Sequence, residues 1–291
     1  MKAKKKKNKK RSKRVGLFGR FLAKLPSSWP ILYPLYLAAQ LDTVEEEYVS
    51  PALPAEFDGF RVAFLSDIHY GELFSEGRVR KLAERVNALN ADVVLLGGDY
   101  GNNSDGALEF FQLKPGFRAK IAVLGAFGNH DRTLPEINLL KIQAAMREDG
   151  VIPLVNDAYF ITRNQKKLAF ASTDDYFNGV PAIKRVAKLC EKADFTVFFP
   201  HNPDTLLLTF SLRGGPFYQL ALCGHTHGGQ VAIAKRTVHY SSETGRRFLS
   251  GWYREHGVDI MTSNGVGTSG IPVRLGARPQ IHLITLKSKS S

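Results

Sequence analysis

The sequence predicts a layered α/β domain in which mixed β-sheets are covered on the outside by helices. Short apolar runs alternate with amphipathic helical patterns at intervals of about 30 residues, which is typical of strand–helix–strand units. Beyond residue 150 the pattern becomes strand-rich, which favours mixed sheets over one purely parallel sheet. A chain of 291 residues, 44% of them hydrophobic, can bury a sizeable core.

The individual elements follow from their apolar spacing. Residues 60–65 are apolar except for Arg61, a pattern typical of a buried strand, and residues 78–90 carry their apolar side chains on one helical face. A helix over 135–149 is expected to begin at Pro135 and to end at Gly150. The same criteria predict further strands at 92–96, 121–124, 195–200 and 218–223, several short strands between 151 and 171 and in the C-terminal part, and helices at 105–113, 181–192 and 203–211.

The positive charge of the chain is concentrated at its N-terminus. The formal net charge is +13, but residues 1–41 hold twelve Lys or Arg and no Asp or Glu, which leaves 28 basic against 27 acidic groups in the rest. The body of the chain is therefore nearly neutral, and it carries no basic patch interleaved with aromatics. A nucleic-acid partner for the body has little support.

An uncharged, aromatic-containing run follows the basic residues. It extends over 25–41, is 17 residues long, and is interrupted by Pro26, Pro30 and Pro34. A spanning helix needs about 20 apolar residues without such breaks. The composition suits the headgroup region of an anionic membrane, with an export signal or a true span as one alternative and a basic tail that binds RNA as another. We therefore divide the chain into an N-terminal arm with linker, residues 1–55, and one domain, residues 56–291.

Five polar motifs follow apolar runs along the domain: Asp67-Ile-His69, Gly98-Asp99, Gly128-Asn129-His130-Asp131, His201-Asn202 and Gly224-His225-Thr226-His227. Singly, each is typical of a turn or of a buried histidine. Together they contain five of the eight histidines, and all lie where strands are predicted to end, which is where ligands gather in α/β folds.

The residue types in these motifs indicate a metal centre. If the backbone is extended, Asp67 and His69 point to one side, and so do His225 and His227. Carboxylate, imidazole and carboxamide ligands without thiolates suit Mn, Fe, Zn or Mg. A carboxylate such as Asp99 can bridge two ions, and ions about 3.5–4 Å apart stabilise the charge that develops on a phosphoryl group. The motifs therefore predict a hydrolase acting on phosphorus.

This set of motifs resembles that of the calcineurin-like metallophosphoesterases, from about residue 58 to the C-terminus. The segments 201–204, 224–230 and 263–274 are similar to a bacterial branch of membrane-associated phosphodiesterases, some of which hydrolyse UDP-2,3-diacylglucosamine in lipid A synthesis. The resemblance implies two mixed β-sheets packed as a sandwich flanked by helices, and two divalent metal ions as cofactors.

The resemblance also implies a role for each motif residue. Asp67, His69, Asp99 and His227 would hold the first ion, and Asn129, His201 and His225 would hold the second with Asp99 as the bridge. His130 would bind phosphate and protonate the leaving oxygen, with Asp131 orienting it. For Arg274, a contact with the substrate phosphate is one possibility, and exposure to solvent is the expectation for both Arg274 and Arg278.

These observations predict a metal-dependent phosphodiesterase or pyrophosphohydrolase, with a phosphorylated small molecule or a lipid-linked compound as substrate. The arm would attach it to an anionic membrane surface, on the cytoplasmic face of a bacterial inner membrane. Two alternatives remain open. One is an RNA- or nucleotide-directed phosphodiesterase that uses the lysine-rich tail, and the other is a catalytically inactive scaffold of the same fold.

Overall fold

Two six-stranded sheets form the centre of the protein in the computed structural model. The structure describes residues 37–133, 136–233, 236–237 and 242–289. Residues 1–36, which carry most of the arm on which the membrane hypothesis rests, lie outside the described residues, and so does Pro135. Within the described ranges, no helix is both long and apolar enough to cross a membrane.

The first sheet has the strand order β1–β14–β2–β3–β4–β5. Strands β2, β3, β4 and β5 are parallel neighbours, β14 is antiparallel to β2, and β1 is parallel to β14. The bounds are β1 (Asp42–Ser50), β2 (Phe60–Leu65), β3 (Val93–Leu96), β4 (Ala122–Gly125), β5 (Val151–Pro153) and β14 (Gln280–Ser288).

The second sheet has the order β12–β13–β9–β8–β7–β6. Here β13, β9, β8 and β7 are parallel neighbours, while β12 and β6 are antiparallel edge strands. The bounds are β6 (Asp157–Arg163), β7 (Lys166–Ser172), β8 (Phe195–Phe198), β9 (Leu220–Cys223), β12 (Gly251–Glu255) and β13 (Val258–Thr262). A two-stranded ribbon consists of β10 (Ala232–Ile233) and β11 (Arg236–Thr237).

Three apolar clusters show how the layers pack. One lies between the two sheets and joins side chains such as Phe64 of β2 and Phe170 of β7. A second packs helices α1 to α3 on the outer face of the first sheet, and a third packs α4 and α5 on the outer face of the second. The helices are α1 (Glu76–Ala88), α2 (Ser104–Gln112), α3 (Glu136–Glu148), α4 (Ile183–Cys190), α5 (Asp204–Phe210) and α6 (Glu243–Arg247). The prediction of mixed sheets with helices outside, packed as a sandwich, is confirmed.

The domain begins earlier than the sequence suggested. Residues 42–50, which we placed with the arm and linker, form β1 and pair along their length with β14. Leu37 and Ala38 are also buried. The strand was missed because its acidic run, residues 45–47, is unlike a buried strand. On an edge strand, however, charged side chains can face water and discourage pairing with another chain.

Candidate metal centre

The five motifs lie at the carboxyl ends of strands from both sheets. In the first sheet they follow β2, β3 and β4, and in the second they follow β8 and β9. Because the strands within each of these two sets are parallel, their carboxyl ends share one edge of the sheet. The polar residues placed at these ends are Asp67, His69, Asp99, Asn129, His130, Asp131, His201, His225 and His227.

The backbone turns sharply at these positions instead of continuing as strand. Positive φ angles occur at Asp67 (57°), His69 (52°), Asp99 (56°), His225 (69°) and His227 (52°). The expectation of extended backbone at the paired residues is therefore wrong. The left-handed conformation is uncommon outside glycine but is enriched for Asp and His, and it typically costs about 1–3 kcal/mol where it is strained. Its concentration here shows that the loops are shaped to direct these side chains.

The directed side chains converge on one another. One ligand atom from each member lies within 4.8 Å of the others in three groups: Asp67, His69 and His227; His69, Asp99 and His130; and Asp99, His201 and His225. Asp99 belongs to two of these groups, one of which contains His69 and the other His201 and His225. This is the position that a bridging carboxylate requires.

The spacing of the ligand atoms fits coordination to metal. Two atoms that each lie about 2.1 Å from one ion are about 3.0–3.4 Å apart at ordinary coordination angles. The Nε2 atoms of His69 and His227 are 3.1 Å apart, and His227 Nε2 lies 3.4 Å from Asp67 Oδ1. In the other group, His201 Nε2 lies 3.4 Å from Asp99 Oδ2.

Several of these buried polar atoms have no hydrogen-bond partner in the structure. They include Asn129 Oδ1, His201 Nε2 and His225 Nε2, all from residues predicted to hold the second ion. The other ring nitrogen of His201, Nδ1, lies 2.8 Å from the carbonyl oxygen of Gly97. A carbonyl can only accept, so Nδ1 carries a proton. The carboxylates of Asp99 and Asp67 outweigh burial and raise the pKa of His201 well above its ordinary value, so a metal ion bound at Nε2 would take the place of a proton there. Buried polar groups without partners are costly, and a cation at this position would satisfy them.

The charged groups of the centre shift one another's pKa values. Burial raises the pKa of Asp99, but the imidazoles of His201, His130 and His69 outweigh it and hold this pKa well below its ordinary value. Burial lowers the pKa of His69 and of His225 to about 3, so both rings are neutral at physiological pH. Neutral imidazole and ionised carboxylate are the forms that bind metal.

Glycines let the loops approach each other closely. A Cβ on Gly224 would lie 2.5 Å from Asp67 Oδ2, and a Cβ on Gly128 would overlap the carboxylate of Asp99. The carboxylate of Asp67 also accepts from the backbone N–H of His225, at 3.1 and 3.0 Å. Gly128 and Gly224 are therefore needed because the Asp99 carboxylate, in one case, and Ser66 with the Asp67 carboxylate, in the other, occupy the space of a side chain.

His130 lies at the metal centre, but its ring is held by a different residue from the one we expected. Its ring Nδ1 donates to the carbonyl oxygen of Asn102 at 2.9 Å, and its backbone N–H donates to Asp99 Oδ1 at 2.9 Å. The carboxylate of Asp131 accepts instead from the backbone N–H groups of Asp99, Tyr100 and Gly128. The expectation that Asp131 orients the His130 ring is wrong, because Asp131 ties the two loops together and Asn102 holds the ring.

Arg274 is buried, contrary to the expectation of an exposed or substrate-binding side chain. It is 0% exposed, and its guanidinium donates to the carbonyl oxygens of Gly267, His227, Asn264 and Ala277. Its Nη2 atom also lies 3.3 Å from His227 Nδ1. Burial lowers its pKa to about 9. With its donors directed at the protein, Arg274 supports the loop around His227 and does not reach a substrate.

Arg278 is half-exposed and lies 3.5 Å from Asp42, as expected of a surface side chain. Sequence reasoning missed the supporting residues Ser66 and Asn102. Ser66 Oγ donates to Asp67 Oδ2 at 2.5 Å. Asn102 holds the His130 ring through its carbonyl oxygen. Burial lowers the pKa of His69, and the side chain of Asn102 partly offsets this effect. Ser66 directly precedes the first motif, which is the signal that could have found it. Asn102 lies outside the five motifs, so no comparable signal pointed to it.

The comparison with known proteins agrees with this geometry. The family described as calcineurin-like phosphoesterase matches residues 60–229, which is more than half of the chain. The chain belongs to this family. Calcineurin-like phosphoesterases use a dinuclear divalent metal site, and the clustered Asp and His residues provide candidate ligands for one. The predictions of the fold and of the two-metal cofactor are confirmed, while the assignment of each ligand and of His130 stays a prediction.

Relatives of this phosphoesterase occur in bacteria and animals. It is 27% identical over 280 residues to the uncharacterized metallophosphoesterase YkuE of Bacillus subtilis (strain 168), covering 94% of this chain and 96% of that one. It is 27% identical over 239 residues to the phosphodiesterase YaeI of Escherichia coli (strain K12), covering 78% and 82%. Among solved structures, a dimetal phosphatase from Danio rerio is similar at a TM-score of 0.48 and 13% identity, covering 72% of this chain and 88% of that chain.

Proposed function

We propose that this phosphoesterase hydrolyses a phosphodiester or pyrophosphate bond at a dinuclear metal centre. The observation that carries the proposal is the convergence of ligand atoms from the strand ends of both sheets to within 4.8 Å. Asp67, His69 and His227 would hold one ion, and Asp99 would be shared with the second. The second ion would also be held by Asn129, His201 and His225.

The chemistry supplied by two bound divalent ions is polarisation of the phosphoryl oxygens and activation of the attacking water. The chain itself supplies a proton donor. Because Nδ1 of His130 already donates to Asn102, a proton passed to the substrate would leave from Nε2. His130 is also partly exposed, so a substrate can reach it. We assign it the protonation of the leaving oxygen.

We further propose a lipid-linked substrate, such as UDP-2,3-diacylglucosamine, and attachment of the arm to the cytoplasmic face of a bacterial inner membrane. The support is the basic and apolar composition of residues 1–41 together with the resemblance of the C-terminal motifs. A relative in Danio rerio, 27% identical over 275 residues, bears the name transmembrane protein with metallophosphoesterase domain. An arm at the bilayer would hold the centre where lipid-linked phosphates are found.

The experiment is a metal-supplied assay of the purified full-length protein. It is loaded with Mn²⁺ and given bis-p-nitrophenyl phosphate and, separately, UDP-2,3-diacylglucosamine, and bound metal is counted. Wild type is expected to hold two ions per chain and to turn over both compounds. Asp99→Asn is expected to lower turnover by at least about 100-fold and to reduce bound metal, because a bridging ligand is lost.

The matched control is Asp157→Asn, which changes an exposed carboxylate on β6 and should leave both readouts unchanged. Absence of turnover in wild type that holds two ions would overturn the hydrolytic function. Fewer than two ions after reconstitution would favour the inactive scaffold. Turnover of bis-p-nitrophenyl phosphate without turnover of the lipid-linked compound would keep the phosphodiesterase and exclude that substrate.

A further inference from the structure

The loop between β7 and α4 is bonded to the segment that carries His130. Asn178 Nδ2 donates to the carbonyl oxygen of Asn129 at 2.7 Å, and Arg132 Nη2 donates to Asp174 Oδ2 at 2.8 Å. Asn129 and Arg132 flank His130 in the chain. The rim loop, residues 173–180, is therefore attached to the loop that carries the proposed proton donor.

Hydrogen bonds within the rim loop fix its shape. Asp175 Oδ2 accepts from the backbone N–H groups of Phe177, at 2.9 Å, and Asn178, at 2.6 Å. Asp174 Oδ2 accepts from the backbone N–H of Val180 at 3.0 Å. A Cβ on Gly179 would collide with the Asp174 carboxylate. A loop held at this many points presents its side chains in one arrangement.

Phe177 projects from the rim loop beside the metal centre. Its side chain is 47% exposed, and its ring centroid lies 5.5 Å from that of His225 with a tilt of 42° between the planes. The ring of Tyr176 supports it edge-on, at 5.3 Å and 84°. Leaving an aromatic ring half in water forgoes hydrophobic stabilisation. Because the Phe177 ring is held beside His225 and remains half-exposed, it can contact a group bound at the metal centre.

We propose that Phe177 is a stacking surface for an aromatic ring in the substrate, such as a nucleobase close to the scissile phosphate. This proposal rests on the proposed function, which places the phosphate at the metal centre. It adds the chemical class of the group that adjoins this phosphate. The centre beside His225 would bind the phosphate, while the face of Phe177 would contact the ring. Every nucleobase has a π-face, so such a surface selects for an aromatic group and tolerates different bases.

The test is a calorimetric titration of the full-length, Mn²⁺-loaded protein, which does not depend on turnover. Three probes are used: uridine 5′-monophosphate, ribose 5-phosphate, which lacks the base, and decyl phosphate, which replaces it with an alkyl chain. Wild type is expected to bind the nucleotide at least about tenfold more tightly than ribose 5-phosphate. Phe177→Ala should lose most of that preference and keep its affinity for ribose 5-phosphate.

Two further variants separate stacking from other effects. Phe177→Leu keeps apolar bulk without a ring, so it should lose nucleotide affinity to nearly the same extent and keep decyl phosphate affinity. Val180→Ala changes another exposed apolar side chain of the rim loop, 75% exposed, and should bind all three probes like wild type. Bound metal and the thermal midpoint of each variant are measured, so that a damaged centre is recognised.

Three outcomes would overturn the proposal: equal affinity of wild type for the nucleotide and ribose 5-phosphate, an equal loss of both in Phe177→Ala, or a loss confined to decyl phosphate. The last would assign the ring to an acyl chain. These outcomes are separate from the hydrolytic function, because a protein that discriminates the base without turning over any ester supports Phe177 and contradicts hydrolysis.

Discussion

The His130 ring is positioned by a backbone carbonyl, and this determines which of its nitrogens can act on a substrate. The bond from Nδ1 to Asn102 fixes the ring orientation. His69 packs edge-on against His130, with centroids 4.9 Å apart, so the ring lies beside a predicted ligand. The alternative role for His130 is that of a metal ligand, because one of its nitrogens lies within 4.8 Å of ligand atoms of His69 and Asp99. The two roles make different predictions for one substitution.

We expect His130→Gln to lower kcat by about 100- to 10,000-fold, which is the usual contribution of a general acid. Glutamine can still donate a hydrogen bond but has no proton to transfer near neutral pH. The measurement combines steady-state kinetics on a phosphodiester with an alcohol leaving group, such as glycerophosphoethanolamine, with a count of bound Mn²⁺, which should stay at two per chain. Turnover of bis-p-nitrophenyl phosphate should fall much less, because p-nitrophenolate is a weak base that can leave without a proton. His256→Gln, on an exposed turn, is the control. Loss of an ion in His130→Gln would make His130 a ligand and contradict the assignment.

The candidate residues themselves could be predicted from the sequence because each is polar, follows an apolar run and belongs to a recurring motif. What surrounds them could not. Arg274 is indistinguishable from a surface arginine in the sequence, because its burial depends on carbonyl groups such as that of Gly267, which any residue could supply. The exposure of Phe177 could not be predicted from the sequence either. A phenylalanine in a loop gives no indication that its ring is exposed to solvent.

At the scale of elements, the strand ends bring the two sheets together through close contacts between loops. Gly224 follows β9 of the second sheet, and Asp67 follows β2 of the first. The missing side chain of Gly224 provides space for the Asp67 carboxylate. This contact therefore couples the packing of the two sheets to the position of a predicted ligand.

We expect Gly224→Ala to destabilise the protein by about 1–3 kcal/mol, because the new Cβ must displace the carboxylate or its loop. Displacing Asp67 should also weaken metal binding by about 10- to 100-fold. Urea unfolding and metal titration measure the two effects. In the control, Gly77→Ala, the new Cβ meets open space in the first turn of α1, and the helix should gain about 0.5–1 kcal/mol. Unchanged metal affinity in Gly224→Ala would show that the close contact has no role in the centre.

Strands could be predicted from the sequence where the burial of their side chains determines the apolar pattern. Strands such as β3 and β9, which are buried at every residue, appear in the sequence as apolar runs. Strand β1 did not, because Glu45 and Glu47 lie on its exposed face, while Glu46 on the other face is partly buried and accepts from Trp252 Nε1 at 3.0 Å. The turns after the strands could not be predicted from the sequence either. The left-handed conformation at residues such as Asp67 is imposed by the loops that pack around it and not by local propensity.

For the whole molecule, charge separates the chain into two parts. The domain holds nearly equal numbers of acidic and basic residues, while residues 2–14 alone carry ten Lys or Arg. A basic segment near an anionic bilayer gains about 1 kcal/mol per charge close to the surface. A test of the arm must spare residues 42–50, because β1 belongs to the first sheet, and a chain that starts after them would lose a strand together with the arm.

We therefore expect a variant that lacks residues 2–36 to lose sedimentation with vesicles containing phosphatidylserine, while it keeps turnover of bis-p-nitrophenyl phosphate. Removing only residues 2–14 should weaken binding by at least about 100-fold at low salt and less at high salt, because this part of the attraction is electrostatic and screened by ions. Vesicles of phosphatidylcholine alone are the control for the apolar run, which should give weak, salt-independent binding. Equal sedimentation of all three proteins would refute the arm as the anchor. A different result would assign the arm to nucleic acid: the full-length protein would bind RNA in a salt-sensitive way and would bind neither kind of vesicle, and removal of residues 2–14 would abolish the RNA binding.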